Sequence, residues 1–231
     1  MNEELSVADE LYRLSCWVLP AMAAIILHEI AHGYAALYFG DDTAKKEGRL
    51  SLNPFKHVDP FGTVIFPLFL VLVHAPFMFG WAKPVPVDFS KLKKPKSQMA
   101  WVAAAGPACN FAQALLCLAV LSLCKHSGYI PSFWVQMVLV NTVLFNLSLM
   151  IFNLIPVLPM DGGRILTGIL PLKAAIRFAG TEKYGFVVIV SLLILVPMLG
   201  DYIGRDFDFV SYFLAGALQR LVSVLAGIFG I

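Results

Sequence analysis

The sequence predicts an all-α polytopic membrane protein, with about five transmembrane helices, a re-entrant segment and a short membrane-associated β element. Three observations carry this expectation. Hydrophobic residues make up 59% of the 231 residues and charged ones only 14%, with mean hydropathy +0.78, well outside the range of a soluble globular domain. Six long apolar stretches cover residues 14–39, 61–79, 99–124, 133–156, 185–200 and 209–230, against the roughly 20 residues that one span needs. The basic residues, finally, gather in three of the intervening loops.

The first stretch follows a start carrying Glu3, Glu4, Asp9 and Glu10 against Arg13. A secretory leader needs a positive start, so 14–39 is expected to be a retained span. Loop 40–60 holds Lys45, Lys46, Arg49 and Lys56. Loop 80–98 holds Lys83, Lys91, Lys93, Lys94 and Lys96, and loop 157–184 holds Arg164, Lys173, Arg177 and Lys183. Six full crossings would divide these loops between the two faces with little bias. If 61–79 instead enters and returns, thirteen basic residues share one face and Arg13, Lys125 and Arg205 lie opposite. The positive-inside rule favours that arrangement and makes the shared face cytosolic. Pro67 and Pro76 suit a segment that must turn. The last stretch, with Gln219 and Arg220, reads either as a span with a polar face or as a surface helix.

Chain length is that of a single domain and leaves no room for a further folded module. The net charge of +2 says little by itself. Lys91 to Lys96 are a topology signal at anionic headgroups, and nothing supports nucleic-acid binding. Cys16, Cys109, Cys117 and Cys124 all lie in apolar segments without a CxxC pair, so they read as small packing residues.

The chemistry sits in the first span, as His28-Glu29-Ile30-Ala31-His32. Two histidines four apart share one helix face, so both imidazoles can reach one zinc ion, and Glu29 can take a proton from the water that ion activates. A charge and two imidazoles at bilayer depth are costly enough to be functional by default. A catalytic zinc needs one more protein ligand. The third histidine of extended soluble HExxH sites would fall six residues after His32, where Tyr38 stands. Few other candidates lie in apolar context. The best is Asp161, within Asn153-Leu-Ile-Pro156-Val-Leu-Pro159-Met-Asp161-Gly162-Gly163, whose prolines and glycines open a helix end. His28 and His32 lie about 10–15 Å from the cytosolic end of their span at 1.5 Å per residue. With 61–79 re-entrant, Asp161 arrives near that same face; with six crossings it arrives at the opposite one.

HEIAH in a first core span, Ala105-Gly106-Pro107 with Asn110, and Asn153-xx-Pro156-xxxx-Asp161-Gly162 resemble the site-2 protease family of intramembrane zinc metalloproteases. The resemblance covers residues 14–165, with the motifs in the family's order and spacing. Gly40 to Ala44, Gly48 to Pro54 and Gly80 to Val87 are similar to a short branch without a PDZ domain. The resemblance implies one membrane peptidase domain over 1–231, its core at 14–165 and its C-terminal helices at 185–230. It implies one zinc ion on His28, His32 and Asp161, with Glu29 as catalytic base. By the same resemblance Asn153 hydrogen-bonds the substrate backbone or the oxyanion. The implied substrates are membrane-embedded proteins, among which nothing here selects. Their choice is expected to rest on the membrane portion, on 61–79 or on an accessory membrane protein.

A helical substrate must unwind before cleavage, because its carbonyls are hydrogen-bonded. An extended edge could hold the unwound strand by β-addition. Trp81 to Val87 is the candidate, with Trp81, Lys83, Val85 and Val87 as substrate-binding residues; Pro84 and Pro86 suit an edge strand. Plainer roles fit the remaining polar residues. Gly106-Pro107 and Asn110 are expected to serve helix packing or a helix start, His57 and Asp59 a turn or the surface, and His74 packing or the interface. His126 is a loop residue. Two other functions compete with proteolysis: a membrane scaffold that retains the metal site, and a metal transporter. A transporter predicts several ligand sets across the bilayer, where the sequence shows one.

Overall fold

The computed structural model describes residues 7–72, 80–204 and 209–231. The first helix, α1 (Val7–Tyr38), is followed by the short α2 (Thr43–Lys46), a π-helical turn at Pro60–Ile65 and α3 (Phe66–Leu72). Two long helices come next, α4 (Pro95–Ser127) and α5 (Phe133–Asn153). Three short ones, α6 (Asp161–Ile169), α7 (Leu172–Ala179) and α8 (Glu182–Val190), lead through a second π-helical turn into α9 (Val196–Tyr202). The chain ends with α10 (Phe209–Phe229). Among the described residues, five helices are long and apolar enough to cross a membrane: Val7–Tyr38, Pro95–Ser127, Phe133–Asn153, Glu182–Gly200 and Tyr212–Phe229.

Helices α1, α4 and α5 pack on one another, and α6 packs on α4. α4 stops at Gly128, whose φ of 71° is a left-handed cap, and the chain turns directly into α5. The indole of Trp134, at the start of α5, donates to Ser15 Oγ near the start of α1 (2.9 Å). α1 and α5 therefore run the same way and α4 runs back between them. Ala114, Leu118, Val143, Leu147 and Leu225 form a buried cluster that joins α4, α5 and α10.

Pro20 lies inside α1 and has no N–H to offer the carbonyl of Cys16 four residues earlier. In lipid that carbonyl needs another donor. The buried side chain of Asn141 on α5 supplies it, Nδ2 donating to Cys16 O at 2.7 Å.

The segment expected to re-enter does come back to its starting point. Trp81 N–H donates to Gly62 O (3.1 Å) and Lys83 N–H to His57 O (2.8 Å), so the outgoing and returning chains lie side by side. Its far end, with His74 and Pro76, lies outside the described residues. The three basic loops meet at one end of the bundle. Arg49 donates to Lys83 O (2.9 Å), Asp88 N–H to Asp41 Oδ2 (2.7 Å), and the Arg164 guanidinium lies 5.4 Å from the Phe89 ring centre.

The short β element expected at 81–87 is not formed, and no strand occurs among the described residues. The backbone of this stretch is committed elsewhere. The N–H groups of Trp81, Lys83 and Val85 are bonded to Gly62 O, His57 O and the Glu29 carboxylate, and Pro84 and Pro86 have none.

Candidate metal centre

α1 carries His28 and His32 one turn apart, their rings edge to face with centroids 4.6 Å apart. α5 ends at Asn153 and the chain turns through Leu154 to Met160, so that Asp161 opens α6 beside the two rings. Gly162 allows this approach: a Cβ there would run into the backbone of Leu154, with Ile155 O at 2.6 Å. Gly106 does the same for α4, since a Cβ at that position would lie 2.6 Å from ring atoms of both histidines.

The three side chains converge. Asp161 Oδ2 is 3.2 Å from His28 Nε2 and 3.4 Å from His32 Nε2, and the two Nε2 atoms are 3.0 Å apart. Hydrogen bonding on the far side of each ring decides where the protons are. His32 Nδ1 lies 2.7 Å from Val102 O, which can only accept, so Nδ1 carries a proton and, in the neutral ring that binds a metal, Nε2 carries the lone pair. His28 Nδ1 lies 2.6 Å from Asn110 Oδ1 and donates in the same way. Asp161 Oδ2 is buried and makes no hydrogen bond. With both rings neutral, three unprotonated donor atoms face one another in a site of which His28 is only 4% exposed. Without a cation that arrangement is repulsive. Ligands at 2.0–2.1 Å around a tetrahedral ion sit about 3.3 Å apart, close to the spacing seen. The donor set, two histidines and a carboxylate, fits zinc, and each histidine is oriented by an outer partner, Asn110 for His28 and Val102 O for His32. His28, His32 and Asp161 are the metal-capable group found among the described residues.

The chain belongs to peptidase family M50. The profile of that family, described as Peptidase family M50, matches residues 17–196, which makes the chain a metalloendopeptidase, and the five apolar helices among the described residues make it a multi-pass membrane protein. It is 38% identical over 208 residues to the Bacillus subtilis protein named "Putative zinc metalloprotease YwhC", covering 82% of this chain and 87% of that one. Two proteins named "Putative zinc metalloprotease Rip2" are 26% identical. The Mycolicibacterium smegmatis one aligns over 87% of this chain and 76% of its own length, the Mycobacterium tuberculosis one over 85% and 75%. No solved structure matches at a significant level.

Within this family member, Glu29 is half-buried and its Oε2 accepts the backbone N–H of Val85 at 2.8 Å. Val85 itself is buried against Gly33 of α1. Arg49, buried, holds residues 81–87, a strap along α1, by donating to Lys83 O and Pro84 O. At its far end the strap is tied by Asp41, which accepts from the Thr43 amide and hydroxyl and from Asp88 N–H. Burial opposes ionisation of Asp41, but those donors and the nearby Lys91 ammonium outweigh it and hold the carboxyl below its ordinary value.

The other expected residues are distributed unevenly. Asn153 is the last residue of α5, and its amide donates to Leu149 O in its own helix (2.9 Å). Trp81 packs among Phe61, Phe66 and Phe186, Lys83 is exposed and Val87 half-buried. His57 is buried rather than at the surface, with Nε2 bonded to Ser51 O (2.8 Å). Asp59 does serve a turn, accepting Gly62 N–H. His126 bonds Ser122 O in its own helix.

Asn110 does more than pack helices. It orients His28, and the sequence reading missed this, along with Val102, Arg49 and Asn146. A fully buried amide in an apolar span was the available signal for Asn110 and Asn146. A backbone carbonyl such as Val102 O leaves none.

Proposed function

We propose that this chain binds one zinc ion through His28, His32 and Asp161. With it the chain hydrolyses peptide bonds within or near the transmembrane segments of membrane-embedded proteins, in regulated intramembrane proteolysis near the cytosolic face. The observation that carries the reading is the convergence of two imidazole Nε2 atoms, each with its Nδ1 facing an acceptor, on one buried carboxylate oxygen. Orientation is argued from the three basic loops gathered at the end of the bundle where the site lies.

A zinc ion so held would acidify a water and polarise the scissile carbonyl. Glu29 takes the proton of the attacking water and delivers it to the leaving amine. Val85 N–H keeps one carboxylate oxygen in place while the other remains free for this transfer. Asn153 offers its amide to the substrate backbone or to the developing oxyanion. The 81–87 strap contacts the unwound substrate, with Lys83 as its exposed side chain.

A metal transporter would need several ligand sets across the bilayer, and one such group occurs among the described residues. A scaffold would not need Glu29.

The test is zinc content per chain, measured by elemental analysis on wild type and Asp161→Ala purified in detergent. The expected result is about one zinc in the wild type and far less in the variant. A well-folded wild type without zinc would overturn the proposal. Zinc unaffected by the substitution would remove Asp161 from the ligand set.

A further inference from the structure

Asn146 and Asn110 are both fully buried between the long helices, where no water competes for their amides. Asn146 Nδ2 donates to Thr142 O (2.9 Å), four residues earlier in α5. Asn146 Oδ1 accepts from Asn110 Nδ2 (2.8 Å) on α4, and the same Nδ2 donates to Ala24 O on α1 (3.1 Å). Asn110 Oδ1 then faces His28 Nδ1. Three helices thus contribute to one chain of hydrogen bonds that ends at a ring of the metal-capable group.

The chain has a direction. Thr142 O and Ala24 O are backbone carbonyls and can only accept. Turning Asn110 over would point its oxygen at Ala24 O and Asn146 Oδ1. Turning both amides over would point Asn146 Oδ1 at Thr142 O. Either arrangement leaves buried acceptors facing each other, the costly outcome for groups without water. The unflipped arrangement satisfies every member and obliges His28 Nδ1 to be the protonated nitrogen.

We propose that Asn146 is a positioning residue for the metal: acting through Asn110, it holds His28 in the tautomer whose Nε2 is bare. This rests on the metal-centre reading and deepens it. Asn146 touches neither histidine. Its contribution is to hold the second N–H of Asn110 and so to add to Ala24 O in opposing the reversed amide. Removing it leaves that N–H buried without a partner and only Ala24 O against the reversed amide, which stabilises the Nε2–H tautomer and becomes less costly. That tautomer directs a proton at the place a cation must occupy.

The experiment measures zinc dissociation constants of the full chain in detergent, by competition with a chromophoric chelator, for wild type, Asn146→Leu and Asn146→Asp. Asn146→Leu removes the acceptor and is expected to weaken zinc binding about 3- to 10-fold, the worth of one buried hydrogen bond. Asn146→Asp, its buried carboxyl protonated so that O–H donates to Thr142 O, keeps an acceptor oxygen opposite Asn110 and is expected to bind zinc about as tightly as wild type. A purely structural role would lower the melting temperature and leave zinc affinity where it was. Wild-type affinity in a folded Asn146→Leu would therefore overturn the proposal and leave the metal centre standing. A wild type that binds no zinc would overturn both.

Should Asn146→Leu not fold, 15N-histidine NMR of the zinc-free wild type decides. His28 is expected with Nδ1 protonated and Nε2 bare. A His28 found mainly as the Nε2–H form would overturn the proposal without any variant.

Discussion

Val85 N–H and Glu29 Oε2 lie 2.8 Å apart, 56 residues apart in the chain. The contact couples the strap returning from the re-entrant segment to the carboxylate between the two histidines. Whatever moves the strap moves the proposed base.

Arg49 is the clamp that keeps the strap down, through Lys83 O and Pro84 O. Arg49→Gln frees the strap without touching the metal-capable group. The expected outcome is unchanged zinc content with turnover reduced about tenfold, because small misplacements of a reacting group are costly. Cleavage of a membrane substrate, measured beside zinc content, checks this. Equal turnover in the two proteins would show that the hold on Glu29 is not used.

Glu29→Gln keeps the size of the side chain and removes its basicity. Zinc binding is expected to persist while turnover falls by at least about 100-fold, the lower end for a positioned general base. A variant that still cleaves at the wild-type rate would point to another base.

Gly106 faces both histidine rings. Gly106→Ala drives a methyl group into them, so either α4 withdraws or the rings turn away. Overpacking of this kind costs about 1–3 kcal/mol. The expected signature is weaker zinc binding together with a lower melting temperature. Wild-type affinity would mean that the helices separate easily here.

Asp41 supplies a pH dependence outside the membrane. Its folded carboxyl lies below the ordinary value of 3.8. Its contribution to stability is therefore complete above that ordinary value and is lost as pH falls through the folded one. Below about pH 3.8 the strap end is expected to loosen. Hydrogen exchange at the Asp88 amide reads this directly, as a protection factor that drops with acid in wild type. In Asp41→Asn the same amide should show no such step, and a step of equal size there would assign the effect to another group.

Much of the site was legible before the fold was known. The pair His28 and His32 follows from helical spacing alone. The placement of Asp161 followed from loop charge, because a re-entrant 61–79 was needed to bring it to the same face. The β element was misjudged for an instructive reason. Alternating Trp81, Lys83, Val85 and Val87 satisfy a strand pattern, but the N–H groups of Trp81, Lys83 and Val85 are bonded to a turn carbonyl, a loop carbonyl and a side chain. Pattern reports which face a residue prefers and does not report who bonds its backbone. Asn110 was assigned to packing because an asparagine in a span shows only that it needs a partner.

By itself the sequence determined the solvent, the spans, the shared face of the basic loops and the chemical type of the site. These depend on hydrophobic partition, on helical period and on net charge in loops, all of which are properties of neighbours along the chain. Only the tertiary structure decided which nitrogen of each histidine faces the site, that Gly106 admits both rings, and that Val85 holds Glu29. Such relations join residues as far apart as His28 and Asn110, 82 positions away. They exist because a buried amide or carboxylate must be satisfied by whatever group packing brings within about 3 Å.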